Sequence, residues 1–312
     1  MIDVLIIFLM LAGGIACLIG GADFLISGGS AIAIRLGISV TVVGLTIVSY
    51  GTSLPELVVS TASSIQGKPE LALGNVLGSN IGNIGLILGF TALIAGVPVA
   101  RSILRRDYFV MLLATAAFIV FLRDSKISRI EGAILLISGA AYTLFLIFFG
   151  SEKNDEEKPE KQKSTALSMG LILLGIVLLV AGGHLVVKGA VKIADWAGMS
   201  EKVIGLTIVA IGTSLPELAA SVVAAIKKQS EIAIGNVVGS NIFNILFVIG
   251  LTSVIHPISA KSGTFSFIDL AVLSSFTLIL FPIMLTGRKV SRLEGLFLLA
   301  AYSGYLAWLV IK

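Results

Sequence analysis

Residues 42–90 and 203–251 of this chain are two copies of one pattern. VVGLTIVSYGTSLPELVVSTASSIQGKPELALGNVLGSNIGNIGLILG begins at Val42, and VIGLTIVAIGTSLPELAASVVAAIKKQSEIAIGNVVGSNIFNILFVIG begins at Val203. The two align without a gap and are identical at roughly 55% of positions. Weaker echoes extend outward. Gly37 and Ser39 match Gly198 and Ser200, and SRIEG at 128–132 is answered by SRLEG at 291–295. The fold must therefore be built from two related halves.

The medium follows from the apolar runs that hold these copies. Runs of about 20 residues recur along the 312-residue chain, long enough to cross a bilayer core of ~30 Å. Only 13% of residues are charged, about half the share of a soluble domain. The runs are continuously apolar rather than alternating, so the spanning elements are helices and not barrel strands. Hydropathy places ten spans, at about 3–25, 41–64, 71–97, 105–122, 130–149, 167–187, 203–226, 231–256, 267–286 and 293–311. SEKNDEEKPEKQKS, residues 151–164, is rich in both charges, contains Pro159 and lacks apolar periodicity, so it reads as a solvated linker. The organisation is a first repeat over 1–150, a linker over 151–166 and a second repeat over 167–312.

Five spans per half is an odd number, so the second copy enters the membrane from the opposite side. The expected fold is an all-α membrane protein of ten transmembrane helices, arranged as two inverted five-helix repeats with discontinuous helices at the midplane. Such duplication typifies secondary transporters with the substrate site between the halves. With the N-terminus outside and the linker inside, cytoplasmic loops hold about 13 basic residues against about 9 outside. The first run has no basic leader and reads as a retained span of a multi-pass protein of the cell membrane. Its Cys17 is the single cysteine, which rules out an intrachain disulfide. The formal charge of +4 is scattered among loops and reflects topology, not nucleic-acid binding.

Each copy carries GTSLPE inside an apolar span. A carboxylate at mid-bilayer depth costs several kcal/mol, so it faces a cavity or a partner. Glu56 and Glu217 are the deep acidic residues, and no deep Lys or Arg is available to either. Their counter-charge must come from outside the chain, as a proton or a metal cation. Thr52, Ser53, Thr213 and Ser214 add hydroxyl oxygens. Pro55 and Pro216 interrupt their helices, which is expected to release carbonyls near Ser49 and Ala210, and Gly51 and Gly212 permit unwinding. Such an all-oxygen set suits hard cations such as Ca2+ and Na+. The second element is GNVLGSNIGN at 74–83, answered by GNVVGSNIFN at 235–244. Ser79 with Asn83, and Ser240 with Asn244, are four apart and share a helix face. Gly74/Gly78 and Gly235/Gly239 allow close helix approach.

The duplicated GTSLPE followed by GN-x-x-GSN-x-x-N resembles the α-repeats of the cation/calcium exchanger superfamily, in particular its sodium/calcium exchanger branch. The likeness spans essentially the whole chain. It implies that the acidic pair binds Ca2+ or shares Na+ ions. Thr carbonyls, Ser hydroxyls and Asn side chains complete the sites. By motif position the set is Ser49, Thr52, Ser53, Glu56, Ser79, Asn83, Ala210, Thr213, Ser214, Glu217, Ser240 and Asn244, with the carbonyls of Ser49 and Ala210 included. Some relatives, including potassium-dependent exchangers, have Asp where this chain has Asn244. Asn at both positions leaves about two negative charges in the site, so the resemblance implies K+-independent, electrogenic exchange.

The expected ligands are the transported Ca2+ and Na+ themselves, in a lipid setting, with no cofactor, nucleic acid or obligatory protein partner. A Ca2+/H+ antiporter on the same scaffold is the nearest rival, and the hydroxyls beside each Glu favour Na+ over a proton. An intramembrane enzyme lacks support, because no GxSxG, GxGD, P-loop or GxGxxG motif is present. A channel is disfavoured by the inverted repeat. Asp23 and His184 occupy equivalent places and read as interfacial residues. His256 reads as a loop residue, and Trp196 and Trp308 as interfacial aromatics. Glu131 and Glu294 read as favourable charges at helix N-termini.

Overall fold

A computed structural model of the chain describes residues 2–150, 164–199, 210–260 and 267–311. The charged linker at 151–163 and the start of the seventh expected span, 203–209, lie outside the described residues. The protein is an all-helical membrane protein. Among the described residues six helices are long and apolar enough to cross a bilayer, or seven when a bent pair is taken as one span.

The helices are α1 (Ile2–Leu36), α2 (Val40–Thr52), α3 (Leu54–Ile65), α4 (Pro69–Ala95), α5 (Tyr108–Phe121) and α6 (Arg129–Phe149). After the linker come α7 (Thr165–Trp196), α8 (Ala210–Thr213), α9 (Leu215–Ile226), α10 (Ser230–Ile255), α11 (Phe267–Leu285) and α12 (Arg292–Ile311). The chain widens to a π turn inside α2, at Gly44–Val48, and again at Asn83–Leu88 and Asn244–Ile249 inside α4 and α10.

Two helices outrun the spans read by hydropathy. The first and sixth were expected over about 3–25 and 167–187, but α1 has 35 residues and α7 has 32. Polar Asp23 and His184 end the hydropathy signal, while the residues beyond them still favour helix and include no proline. Termination falls to Gly37 and Gly198, in the left-handed region at φ 68° and 73°. Ile38 and Met199 then donate back to Ala33 and Ala194, closing each helix as a glycine C-cap does.

α1 and α7 pack antiparallel along a glycine seam of seven-residue spacing. A Cβ on Gly14 would lie 2.9 Å from the Gly182 carbonyl, on Gly21 2.8 Å from Gly175, and on Gly28 2.7 Å from Ser168. Backbone contact at this range leaves no room for any side chain. Large apolar residues such as Val4, Phe8, Ile15, Leu173 and Val177 face outward from this pair. They suit lipid. α10 is almost wholly buried and α4 mostly so, and their apolar residues form the centre of the larger core.

Two short antiparallel ribbons tie the halves together. β1 (Val97–Pro98) pairs with β4 (Lys289–Val290), and β2 (Lys126–Ile127) with β3 (Ile258–Ser259). Beside them, Glu131 does more than supply a favourable charge at the start of α6. The Ser128 hydroxyl accepts from Glu131 N–H at 3.3 Å, and the Glu131 carboxylate accepts from Ser128 N–H at 2.8 Å, a reciprocal capping box. Ser291 and Glu294 repeat it at α12. Ser128→Ala should lower stability by about 1 kcal/mol, read by thermal unfolding in detergent.

Candidate ion-binding site

The duplicated GTSLPE breaks its helix in both halves. α2 and α3 meet at an angle of 45°. The joint is Ser53, at φ −87° and ψ 9°, and Ser214 has nearly the same conformation at φ −92° and ψ 7°. Pro55 and Pro216 follow in the first turns of α3 and α9, where a missing N–H is harmless. Glu56 and Glu217 lie in those same first turns, where unpaired N–H groups and the helix dipole favour negative charge. Both glutamates are 1% exposed, and neither forms an ion pair among the described residues.

Each carboxylate is held by a serine of the other half. Ser53 donates to Glu217 Oε1 at 2.8 Å, and Ser214 donates to Glu56 Oε1 at 3.4 Å. Ser79 adds a bond to Glu56 Oε1 at 3.3 Å. Among the described residues the remaining oxygens, Glu56 Oε2 and Glu217 Oε2, have no hydrogen-bond partner, and neither do Asn83 Oδ1 and Nδ2, Ser240 Oγ or Asn244 Oδ1. All are buried. An unsatisfied buried polar group costs about 1–3 kcal/mol, and a charged one more. Five unpartnered buried oxygens, two of them the carboxylates' own, match a hard cation as the missing partner. Asn83 and Asn244 each open a π turn, a local widening that recurs at functional positions.

Of the residues read from sequence, Ser53, Glu56, Ser79, Ser214 and Glu217 are joined directly by these bonds, and Asn83, Ser240 and Asn244 supply unpartnered atoms. The Thr52 hydroxyl donates to the Val48 carbonyl at 3.0 Å and lies beside Glu217. Thr213 and Ala210 stand at the matching break, as the whole of α8 spans Ala210–Thr213.

Two details differ from the expectation. The Ser49 carbonyl is not released, because it accepts Ser53 N–H at 3.0 Å. Pro55 deprives the carbonyl four residues before it, which is that of Gly51. Gly51 itself does not serve unwinding. It has no positive φ, and a Cβ there would come within 2.9 Å of Ile176 on α7, so its smallness seats α2 against that helix.

Close approach by the glycine pair holds in the second half. A Cβ on Gly235 would lie 2.8 Å from the Thr41 carbonyl, and one on Gly239 2.7 Å from the Leu45 carbonyl. Gly78 meets nothing within 4 Å among the described residues.

Sequence reasoning passed over three supporting asparagines that lie inside the quoted motifs. Asn75 donates to the Glu56 carbonyl at 3.3 Å and to Ser60 at 2.9 Å. Asn236 repeats this with the Glu217 carbonyl at 3.2 Å and Ser221 at 2.9 Å. They fasten each acidic helix to the neighbouring motif helix. Asn80 accepts from Asn244 at 3.0 Å and donates to the Asn241 carbonyl at 3.3 Å, linking α4 to α10. Their duplication was the available signal.

The halves differ below the carboxylates. Thr61, Ser63 and Ser64 on α3 stand where α9 has Val222, Ala224 and Ala225. Thr61 bonds Thr252 at 3.0 Å, and Ser64 bonds the His256 ring at 3.2 Å, so His256, an exposed residue in the bend just past α10, is tied back to α3. Asp23, read as an interfacial residue, is ion-paired with Lys227.

Comparison with known proteins places these features in context. The sequence pattern of the family described as sodium/calcium exchanger protein matches residues 6–149 and 167–311. The chain is 40% identical to CaxA of Alkalimonas amylolytica, over 94% of this chain and 95% of that protein. It is 33% identical to the sodium/calcium exchanger MaX1 of Methanosarcina acetivorans, over 96% and 97%. Among solved structures it is similar to the sodium-calcium exchanger NCX_Mj soaked with zero Na+ and Ca2+. That likeness has a TM-score of 0.83 at 34% identity and covers 98% of this chain and 99% of that one.

Proposed function

The chain belongs to the sodium/calcium exchanger protein family, and from that premise we propose that it exchanges Na+ for Ca2+ across the membrane by alternating access. Its family and fold are those of a transporter, not an enzyme. The observation that carries the reading is the reciprocal clasp: a serine of each half on the other half's buried glutamate, with the second oxygen of each carboxylate unpartnered among the described residues. The proposed ligand set is Thr52, Ser53, Glu56, Ser79, Asn83, Thr213, Ser214, Glu217, Ser240 and Asn244, with backbone help near Ser49 and Ala210 and no resident cofactor.

We read the architecture as ten spans in two inverted halves. The antiparallel seam of α1 with α7 supports this, since Gly14, Gly21 and Gly28 correspond to Gly175, Gly182 and Gly189 under the shift that aligns the copies. So do the ribbons. With ten spans, β1 and β4 fall on one side and β2 and β3 on the other, and those are the pairs that form.

Coupling follows from charge. An unloaded site would bury two carboxylates during occlusion, which is unfavourable, so the halves rearrange only when ions are bound. Two carboxylates balance one Ca2+, whereas three Na+ leave a positive charge. Exchange at a ratio like three to one is therefore electrogenic and independent of K+. Radiolabelled Ca2+ uptake into proteoliposomes tests this, with Na+ and pH gradients imposed separately, with and without K+. Uptake should follow the Na+ gradient, respond to membrane voltage and be unchanged by K+. Uptake driven by the pH gradient alone would instead assign a Ca2+/H+ antiporter.

A further inference from the structure

One basic cluster lies apart from the ion site. A cleft of about 790 Å3 opens between the turn leading into α5 and the end of α11. It is lined by Arg101, Arg105 and Arg288 together with Phe109, Phe281 and Leu285. None of the three arginines pairs with a carboxylate among the described residues, and all three are exposed. Their neighbour Arg106 behaves differently. It is bound to buried Asp107 at 2.7 Å and stacks over Phe145, which accounts for it structurally.

The cluster is gathered by the fold. Val99 N–H donates to the Arg288 carbonyl at 2.9 Å, extending the β1–β4 ribbon and holding the chain two residues from Arg101. Arg288 takes a left-handed conformation at φ 51°, which long side chains rarely adopt. The other ribbon shows that the backbone does not require arginine here. Ser125 stands at the place equivalent to Arg288, with φ 61° and the same bond from Ala260 N–H at 2.9 Å. RSILRR at 101–106 has three arginines where the equivalent SGTFSF at 262–267 has no basic residue.

We propose that this cleft binds an anionic phospholipid, with Arg101, Arg105 and Arg288 on the phosphate and Phe109, Phe281 and Leu285 along an acyl chain. Charge complementarity argues for the phosphate, since guanidinium donors match its oxygens in paired geometry. The walls argue for lipid over free phosphate. Phe109 and Leu285 are exposed apolar side chains next to the charges, and Leu285 lies on a helix long and apolar enough to cross a membrane. Basic pockets between spans on the cytoplasmic side are suited to such headgroups, and the N-out orientation puts this cleft there.

The test uses the full-length protein in detergent, offered equal phosphatidylglycerol and phosphatidylcholine of matched chains, with retained lipid measured by native mass spectrometry. The wild type should retain phosphatidylglycerol preferentially. Arg105→Gln should reduce the preference roughly fivefold, the effect expected of one basic residue at a membrane surface, and Arg105→Gln with Arg288→Gln should remove it. Arg123→Gln with Arg129→Gln, beside the opposite ribbon, should leave it intact. Equal retention of the two lipids by the wild type would overturn the proposal, as would displacement of the lipid by millimolar inorganic phosphate. The readout is binding, so it stands or falls separately from Na+/Ca2+ exchange.

Discussion

Glu56→Gln and Glu217→Gln should each abolish Ca2+ uptake while leaving the protein folded. Glutamine keeps the shape and can still accept from Ser214 or Ser53, so the clasp between halves persists. What disappears is one of two buried negative charges that no basic residue balances. Removing one partner of a buried charge pair costs about 3–5 kcal/mol. Ca2+ retention should therefore weaken by about 100- to 1000-fold or more. The ion-free protein should respond in the opposite direction. An uncompensated buried carboxylate is a liability without its cation, so the variants should unfold at the same temperature as wild type or higher when Ca2+ is absent. Saturating Ca2+ should stabilise wild type by about 2.7 kcal/mol at a hundredfold excess over Kd, and should stabilise neither variant. Thermal unfolding with and without Ca2+, beside vesicle uptake, measures both effects. Near-normal uptake in either variant would refute the site.

Gly239→Ala should be damaging although Gly239 lies outside the ligand set. Its new methyl would sit 2.7 Å from the Leu45 carbonyl and 2.8 Å from both Leu45 Cα and Ser49 Oγ. Two of those atoms are backbone and cannot rotate away, so α2 must move off α10. Overpacking of this kind costs about 1–3 kcal/mol. The displaced helix ends at the Ser53 joint, so the bond to Glu217 should be lost and uptake should fall with stability. Gly78→Ala is the control. With nothing within 4 Å among the described residues, it should be neutral or slightly stabilising, as alanine is the better helix former. Unfolding temperature and uptake of the two variants, side by side, check the contrast.

The clasp ties the acidic site of each half to the other half. Ser53 lies in the same joint as Glu56 yet serves Glu217, and Ser214 crosses the other way. In the proposed site an ion would bridge the two halves, and loading one half alone would leave the other carboxylate uncompensated.

Much of this was legible in the chain. The broken acidic helices were readable because proline, glycine and a carboxylate inside an apolar run conflict with an unbroken span wherever they occur. Glu56, Glu217, Ser53, Ser214, Ser79 and Asn83 were readable because their spacing repeats. Asn75 and Asn236 were passed over, although they repeat equally, because an amide on a backbone carbonyl leaves no mark distinct from ordinary helix packing. The released carbonyl was misplaced at Ser49 because the local geometry of one joint decides which N–H turns where. Helix ends at Leu36 and Trp196 escaped hydropathy because the bilayer signal stops at a polar residue, whereas a helix stops at its cap.

By itself the sequence determined the medium, the duplication and the chemistry of the donors. These depend on which residues are present and on local spacing, and both are properties of the linear chain. Tertiary structure alone decided which hydroxyl meets which carboxylate, which glycine touches backbone, and which arginines share a cleft. Those partners lie far apart in the chain, Ser53 and Glu217 by 164 residues. Such contacts are selected by how the two halves pack, and no local pattern encodes them.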